Sequence, residues 1–389
     1  MRIVIAPDKF KGSLDAAGVA RAVADGIRAV RHDAAVDLVP VADGGEGTLD
    51  AALGAGFERR TTVVSGPTGA PVAADWGLRG DEAVIEMALA SGLGILPGGI
   101  RDARGATSRG TGELIAAALD AGARRIVLGV GGSAGTDGGA GMLQALGLRL
   151  LDGAGAVLPG GGAALARLVT VDASAFDPRL AEASLTLATD VDNPLLGPNG
   201  AAAVFGPQKG ATPEDVAELD AALARYVALI ADAFGVPGAA DAPGAGAAGG
   251  VGFAAVAALG AERRSGVDVV LDFTGLRERL VGADLVVTGE GSIDEQSLGG
   301  KTPVGVARAA RAIGVPVVAV CGRTTLDDDR LRAAGFVRTW ALAAREPDPE
   351  VSMRDAARLL REIGAELAAS LPVGDGAVRA ETLTESITS

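Results

Sequence analysis

Short apolar runs alternate along the chain with segments whose hydrophobic residues recur at helical spacing. Residues 2–6 form an apolar run typical of a buried strand, and residues 14–30 then carry valine and isoleucine every three or four positions, with Ser13 as the expected N-cap. This pattern predicts a strand, a loop and a helix. Strand-like runs in the same setting recur at residues 36–43, 284–290, 315–322 and 336–342.

Because these units lie near both ends of the chain, we predict an α/β fold with two domains. A Rossmann-like domain with a parallel sheet would combine residues 1–60 and 280–375, and a second α/β domain, residues 61–279, would be inserted between them. Residues 376–389 are polar and predict a disordered tail. Within the middle we predict strands at 72–78, 83–87, 125–130 and 184–188 and helices at 113–121, 139–146 and 213–234.

Composition narrows the classes of function. The net charge is −14, and the arginines are interspersed with acids, so a nucleic-acid partner is not expected. The N-terminal apolar run is too short for a secretion signal, and with the single Cys321 it favours a cytoplasmic protein without a membrane anchor. His32 is the only histidine, so acid–base chemistry and metal binding must depend on aspartate and glutamate.

Lysine is scarce and is always found near glycine. The four lysines are Lys9, Lys11, Lys209 and Lys301, while arginine supplies the other basic side chains. An ammonium is a compact charge that can follow a phosphoryl group, whereas the planar guanidinium suits fixed bidentate contacts. The distribution therefore favours phosphate chemistry, although a general depletion of lysine could also leave a few scattered survivors.

Two loops that follow the first two strands carry charged side chains. Lys9, Lys11 and Ser13 precede a helix N-terminus and could form an anion pocket, or simply a solvated loop. Asp43 and Glu46 flank two glycines after the second strand, where they could hold a divalent ion or cap a helix. The carboxyl ends of parallel strands are the usual place for ligands.

The segment 129–141 is a dense glycine loop between a predicted strand and a predicted helix, which suits phosphate binding. It also contains a dinucleotide-type match at Gly129, Gly131 and Ala134, with Asp152 about 20 residues further on. A nicotinamide-dependent oxidoreductase is therefore a rival interpretation. Against it, the helix is predicted to begin only after further glycines, so the tight turn is not evident.

Two later segments concentrate residues that could bind a metal or phosphate. Asp190 and Asn193 precede Lys209 in residues 188–211, where their oxygens could bind Mg²⁺ or form a simple Asx turn. Residues 288–303 end in Gly-Lys-Thr, but Glu295 stands where a P-loop requires glycine. That segment instead offers Glu290, Asp294 and Lys301 on a turn before a helix.

In order along the chain, the motifs resemble those of the bacterial glycerate kinases of the two-domain α/β family: APDKFKGSL, VADGGEGT, GGSAGTDGGAG, TDVDNPL with FGPQKGA, GAGAAGG, and TGEGSID with GKTP. The resemblance extends to about residue 375. It implies ATP-dependent phosphorylation of D-glycerate, often to 2-phosphoglycerate, with Mg²⁺ and a cleft between two domains. Two positions depart from the pattern: Gly135 and Thr136 replace an expected Thr-Asn pair, and Ser292 replaces an expected arginine.

The resemblance and the chemistry together give hypothetical roles. We expect catalytic roles for Lys9, Asp190 and Lys209, and a Mg²⁺ site, or acceptance of the substrate hydroxyl proton, at Asp190 with Asn193. Substrate or phosphate binding is expected of Lys11, Ser13, Asp43, Glu46, Gly131, Gly132, Ser133, Asp137, Glu290, Asp294 and Lys301, with Gly131–Ser133 as the nucleotide-phosphate loop. A ligand-sensing module without turnover is a second rival, and the phosphorylated hydroxyl and a monomer or homodimer state stay open.

Overall fold

Two sheets organise the chain in the computed structural model, which describes residues 1–372. The predicted disordered tail at 376–389 lies outside the described residues. The strands are β1 (Arg2–Pro7), β2 (Ala35–Leu38), β3 (Glu58–Ser65), β4 (Pro71–Arg79), β5 (Glu82–Glu86), β6 (Arg125–Gly129), β7 (Arg149–Leu151), β8 (Thr170–Asp172), β9 (Ser184–Ala188), β10 (Glu262–Arg264), β11 (Leu285–Ile293), β12 (Val317–Thr324) and β13 (Arg338–Ala341).

Helices follow most of these strands. They are α1 (Ala16–Val30), α2 (Thr48–Gly54), α3 (Ala88–Ser91), α4 (Arg109–Asp120), α5 (Ala140–Ala145), α6 (Ala201–Phe205), α7 (Pro213–Phe234), α8 (Val251–Leu259), α9 (Gly266–Phe273), α10 (Leu276–Leu280), α11 (Glu295–Leu298), α12 (Thr302–Arg311), α13 (Asp328–Ala333), α14 (Pro349–Arg354) and α15 (Ala356–Ser370). Within residues 1–372, no helix has both the length and the apolar character needed to span a membrane.

The first compact unit comprises Met1–Asp43, Asp50–Ala55 and the described residues from Val267 onward. Its five-stranded sheet has the order β13-β12-β11-β1-β2, and every neighbouring pair is parallel. Ile3, Ile5 and Val287 are fully buried within it. The prediction of an α/β fold with a parallel sheet built from both chain ends is confirmed.

Helices α1 and α15 cover one side of this sheet together, and their residues share one apolar core with β1, β11 and β12. The two helices approach closely at Gly26, where a Cβ atom would lie only 2.0 Å from the carbonyl oxygen of Arg361. Only glycine therefore fits at this crossing. The packing leaves the carboxyl ends of β1, β11 and β12, and the loops that follow them, as the place for a ligand.

The second compact unit comprises Gly44–Leu49 and Gly56–Gly266. Its six-stranded sheet has the order β10-β9-β6-β5-β4-β3, in which the pairs β3–β4 and β4–β5 are antiparallel and the pairs β5–β6, β6–β9 and β9–β10 are parallel. A large apolar core surrounds Leu128, Phe253 and Tyr226. A separate hairpin joins β7 and β8.

The two units differ from the predicted domains at their edges. Residues 44–49 and 56–60 fall in the second unit, and residues 267–279 fall in the first. The second difference has a clear physical cause, because Asp268 at the start of α9 pairs with Arg308 of α12 at 3.0 Å. Composition alone gave no sign of this contact, and the compact unit resumes at Val267, before the predicted boundary at residue 280.

Candidate active site

A cavity of about 550 Å³ opens in the first unit, beside the carboxyl ends of β1, β11 and β12. It collects several of the residues singled out from the sequence: Lys9, Lys11, Ser13, Asp43, Glu290, Asp294 and Lys301. Other charged or hydroxyl-bearing groups of its lining received no role from the sequence, among them Asp8, Arg323, Glu346 and Ser352. This volume lies in the range of small-molecule sites.

Asp8 anchors the floor of the cavity. Only 5% of it is exposed, and its carboxylate accepts hydrogen bonds from the Lys9 amide at 2.6 Å and from the Thr302 hydroxyl at 2.7 Å. The Lys9 ammonium lies 3.7 Å from the same carboxylate. Burial raises the pKa of Asp8 to about 6, with a smaller contribution from Asp43, and Lys9 and Thr302 oppose the shift.

Glu290, near the end of β11, is the second titratable group of the cavity. Its carboxylate accepts a hydrogen bond from the Ser297 hydroxyl. Burial raises the pKa of Glu290 to about 7, the carboxylates of Asp8 and Asp43 add to the shift, and Ser297 and Lys301 oppose it. A carboxylate that titrates near neutral pH can accept a proton during a reaction.

Lys11, Lys301 and Arg323 form the cationic side of the cavity. Within residues 1–372, none of these side chains has a hydrogen-bond or ion-pair partner, which is notable in a chain with a net charge of −14. Lys301 is also the N-cap of α12, so unpaired backbone amides follow it directly. Three unpaired cations in one concave site indicate an anionic ligand.

Ser13 and Asp294 line the cavity, and both side chains form hydrogen bonds to the protein backbone. The Ser13 hydroxyl donates to the backbone carbonyl of Met353 at 2.5 Å, and the N-cap of α1 is Asp15, so the prediction of Ser13 as N-cap is wrong. The loop after β1 turns once more before the helix begins, which displaces the cap by two residues. Asp294 caps the short helix α11 by accepting from the amides of Gln296 and Ser297.

An apolar wall faces this charged side. We call the lining residues from Leu342 to Ala356 the apolar wall, and its apolar members are Leu342, Ala343, Pro347, Pro349, Met353 and Ala356. Phe10 of the loop after β1 adds an aromatic ring to the lining. The lining of the cavity therefore combines charged and apolar side chains, which suits a ligand with both characters.

In the second unit, Asp137 lies at the centre of the glycine loop rather than on its surface. It is 1% exposed. Its carboxylate accepts hydrogen bonds from the Ser108 amide at 2.8 Å, the Ser108 hydroxyl at 2.9 Å, the Gly139 amide at 3.0 Å and the Gly141 amide at 3.2 Å. These contacts hold the loop between β6 and α5 in shape.

The glycines of this loop also have a packing role. A Cβ atom on Gly131 would lie 2.7 Å from the Cα of Gly45, so the loop and the turn at 44–49 touch through their backbones. Ser133 is buried, whereas Gly132 is exposed. Helix α5 begins only at Ala140, so the tight turn required of a dinucleotide fingerprint is absent here, and Asp152 accepts amides of its own turn. The role of Gly131–Ser133 in nucleotide binding stays a prediction.

Lys209 is buried, with 1% of its surface exposed. Its ammonium donates a hydrogen bond to the backbone carbonyl of Gly135, which joins the 3₁₀ turn Pro207–Lys209 to the glycine loop. Burial lowers the pKa of Lys209 to about 7, and the negative charge of Asp137 opposes the shift. The scarcity of lysine singled out this side chain. In the structure, its hydrogen bond joins two segments inside the second unit.

We expect the free energy of unfolding to depend on the protonation of the buried Lys209 side chain. Because the pKa of Lys209 is about 10.5 unfolded and about 7 folded, the unfolded chain binds an extra proton between those values, and stability should rise with pH from about 7 to 10. Lys209→Met should remove that rise. Urea unfolding followed by Trp76 fluorescence in a Trp340→Phe background measures the second unit, since the only other tryptophan, Trp340, lies in the first.

The difference between the wild-type and Lys209→Met pH curves isolates this residue from other titrations. The nearby Tyr226 hydroxyl is fully buried, which raises its pKa well above the ordinary value and removes it from the same pH range. Parallel curves for the two proteins would contradict a buried ammonium. Loss of catalytic turnover together with parallel curves would instead return Lys209 to the catalytic role predicted from the sequence.

Asp190, Asn193 and Glu46 also belong to the second unit. The Asp190 carboxylate accepts from the Gly266 amide at 3.1 Å, and the Asn193 side chain donates its amide to the Asn199 carbonyl at 2.9 Å. Glu46 is exposed. No group of three or more acidic, histidine or cysteine side chains within residues 1–372 is arranged to hold a metal ion. One or two carboxylates can hold Mg²⁺ together with phosphate and water, so the Mg²⁺ site at Asp190 with Asn193 stays a prediction.

Comparisons with known proteins bear on this site. Residues 3–372 match the glycerate kinase family. The chain is 45% identical over 377 residues to glycerate kinase of Bacillus subtilis (strain 168), covering 95% of this chain and 98% of that protein. It is 46% identical over 383 residues to glycerate 2-kinase of Escherichia coli (strain K12), covering 96% and 99%.

A solved structure agrees with these relatives. A crystal structure described as glycerate kinase 2 from Salmonella typhimurium LT2 has a TM-score of 0.84 and 44% identity, and covers 95% of this chain and 97% of that one. The chain therefore belongs to the glycerate kinase family. The resemblance seen in the motifs is confirmed, and so is the expectation of an enzyme that phosphorylates glycerate.

Proposed function

We propose that the cavity of the first unit transfers the γ-phosphoryl group of ATP to D-glycerate, with the 2-hydroxyl favoured over the 3-hydroxyl. The observation that carries this proposal is the meeting of unpaired cations and a titratable carboxylate in one concave site. Phosphoryl transfer needs mainly positioning and charge neutralisation, which these groups can supply. The similarity to the E. coli glycerate 2-kinase supports the preference for the 2-hydroxyl.

The lysines suit the phosphate part of the reaction. Within residues 1–372, Lys11 and Lys301 form no direct ion pair, although Lys301 acts on the charge of Glu290, and Lys9 is half-buried beside Asp8. In the proposed reaction they neutralise oxygens of the nucleotide and of the transferring group, and α12 adds the positive end of its dipole next to Lys301. This assignment moves the phosphate contacts from the glycine loop of the second unit to the cavity of the first.

Glu290 is the best candidate to accept the proton of the substrate hydroxyl. Its pKa near 7 means that a large fraction is ionised at neutral pH while the group still has appreciable basicity. It lines the same cavity as Lys9 and Lys301. Asp190, the base favoured from the sequence, lies in the other unit, and we keep it as the alternative.

The apolar wall suits the nucleotide base. A purine ring is flat and mainly apolar at its faces, so it gains from burial against proline, leucine and methionine side chains. The phosphates would then extend toward the lysines.

Mg²⁺ belongs to the proposal as a cofactor that offsets phosphate charge when bound. Asp190 and Asn193, the residues expected from the sequence to hold it, belong to the second unit and do not line the cavity, so their role stays a prediction. A cytoplasmic location also stays part of the proposal, supported by one buried, unpaired cysteine, Cys321, within the described residues.

A coupled assay of ADP formation with D-glycerate, ATP and Mg²⁺ tests this function. We expect turnover that depends on all three, and phosphorus NMR of the product should show 2-phosphoglycerate. A titration with NADH, followed by enhancement of its fluorescence, provides the control for the oxidoreductase alternative, since a kinase should respond to ATP with Mg²⁺ instead. Binding of D-glycerate and ATP without ADP release would favour a sensing module, and 3-phosphoglycerate as the product would contradict the proposed regiochemistry.

A further inference from the structure

Arg323 stands directly across the sheet from Ser292. The two residues are register partners in the parallel pair of β11 and β12, and both line the cavity. Neighbouring strands lie about 4.8 Å apart, and partners in register point to the same face of a sheet. A long side chain at either position can therefore reach the same part of the cavity, while the serine leaves that space to the arginine.

The guanidinium of Arg323 has no acidic partner within residues 1–372, whereas nearby arginines do. Arg330 contacts Glu295 at 2.6 Å, and Arg345 contacts Glu366. Arg323 is exposed toward the cavity at the end of β12. An arginine that the fold leaves unpaired in a concave site is arranged for a ligand anion.

The two kinds of cation in the cavity suit two different kinds of anion. Guanidinium is planar and forms two parallel hydrogen bonds to a carboxylate, whereas the ammonium groups of Lys11 and Lys301 suit phosphate oxygens. Glu290 lies two residues before Ser292 on β11, which is about 7 Å along a strand, and on the same face. A three-carbon hydroxy acid can span this gap, with its carboxylate at Arg323 and its hydroxyl near Glu290.

We propose that Arg323 binds the carboxylate of the acceptor and so selects a hydroxy acid over a neutral polyol. This inference rests on the proposed function, and it assigns one subsite within it. Because residues 292 and 323 are register partners, the guanidinium can come from either strand, so the same group placed at residue 292 of β11 should restore recognition.

The test compares Arg323→Ser with the swapped protein Ser292→Arg/Arg323→Ser. In Arg323→Ser we expect the KM for D-glycerate, and its dissociation constant by calorimetry, to rise about 10- to 100-fold, while the values for ATP stay within about threefold. The swap should recover most of the loss. Glycerol, which lacks the carboxylate, should be phosphorylated equally by wild type and Arg323→Ser.

Arg330→Ser is the matched control, since it removes an exposed arginine of the same unit that pairs with Glu295. It should leave both substrates unaffected. An unchanged D-glycerate affinity in Arg323→Ser, or an equal loss of affinity for ATP, would overturn the inference. Absence of wild-type turnover would refute the proposed function instead, and the calorimetric comparison of D-glycerate with ATP would still decide the role of Arg323.

Discussion

Glu290→Gln is expected to lower kcat for D-glycerate phosphorylation by about 10²- to 10⁴-fold, the usual contribution of a general base. The amide keeps the shape of the side chain and can still bond to the Ser297 hydroxyl, so the loss comes from proton acceptance. In the wild type, log(kcat/KM) should fall as pH drops below about 7, because protonated Glu290 cannot act as a base. The variant should lack this limb, and steady-state rates from pH 5.5 to 9 measure both effects.

Stability separates this prediction from a folding defect. The pKa of Glu290 is raised from 4.5 to about 7 in the fold, so the folded protein binds more protons than the unfolded chain between those values. Its contribution to stability is therefore present below about pH 4.5 and is lost as pH rises to 7. At pH 8, Glu290→Gln should be at least as stable as the wild type, because the buried charge is gone.

Glu295→Gln is the matched control for the carboxylate. Glu295 is exposed, pairs with Arg330 and lies in the same segment as Glu290, so its replacement should change kcat less than about twofold. If Glu290→Gln retained most of its turnover, the base would lie elsewhere, and Asp190→Asn would be the next variant to compare.

The sequence predicted the fold well where apolar burial dominates. Strand β9 and helix α7 begin and end at the predicted residues, because each combines a clear apolar period with a boundary signal, such as the capping box at Thr212. Strand β3 was missed, since the exposed edge segment Glu58–Ser65 is mostly polar and arginine-rich. An edge strand needs its partner, β4, and not a hydrophobic pattern of its own.

The candidate site was predictable only in part. Glycine-bearing stretches with lysine identified Lys9, Lys11 and Lys301, which do line one cavity. The same argument selected Lys209, which is buried in the second unit and donates to the Gly135 carbonyl, and its catalytic role stays a prediction. Arg323 could not be singled out among the many arginines, because its importance comes from its register with Ser292 and from the lack of an acidic partner within residues 1–372.

The glycine loop is a second place where the sequence pattern did not predict the contacts that the structure shows. Its composition predicts a phosphate cradle, and Asp137 within it was expected to contact substrate or phosphate. In the structure, the carboxylate faces inward and collects amide and hydroxyl donors from both sides of the loop. A one-dimensional pattern cannot distinguish a loop that closes around a ligand from one that closes around its own aspartate.

Asp137→Ala is therefore expected to destabilise the second unit by at least about 3 kcal/mol, since each buried donor left without a partner costs about 1–3 kcal/mol. The Ser108 amide, the Ser108 hydroxyl and the amides of Gly139 and Gly141 would all lose their acceptor. Urea unfolding by Trp76 fluorescence in the Trp340→Phe background measures the loss. Asp137→Asn keeps one acceptor oxygen, so its free energy of unfolding should lie between those of Asp137→Ala and the parent protein.

Asp220→Ala provides the matched control, because Asp220 is a partly buried aspartate of the same unit that accepts one backbone amide, that of Gly197 at 3.0 Å. Losing that single hydrogen bond should cost about 1 kcal/mol. The comparison distinguishes an aspartate that accepts several buried hydrogen bonds from one that accepts a single backbone amide. If Asp137→Ala unfolded at the same urea concentration as its parent but lost glycerate phosphorylation, the carboxylate would serve the ligand, as the motif first indicated, and the internal role argued from its contacts would be wrong.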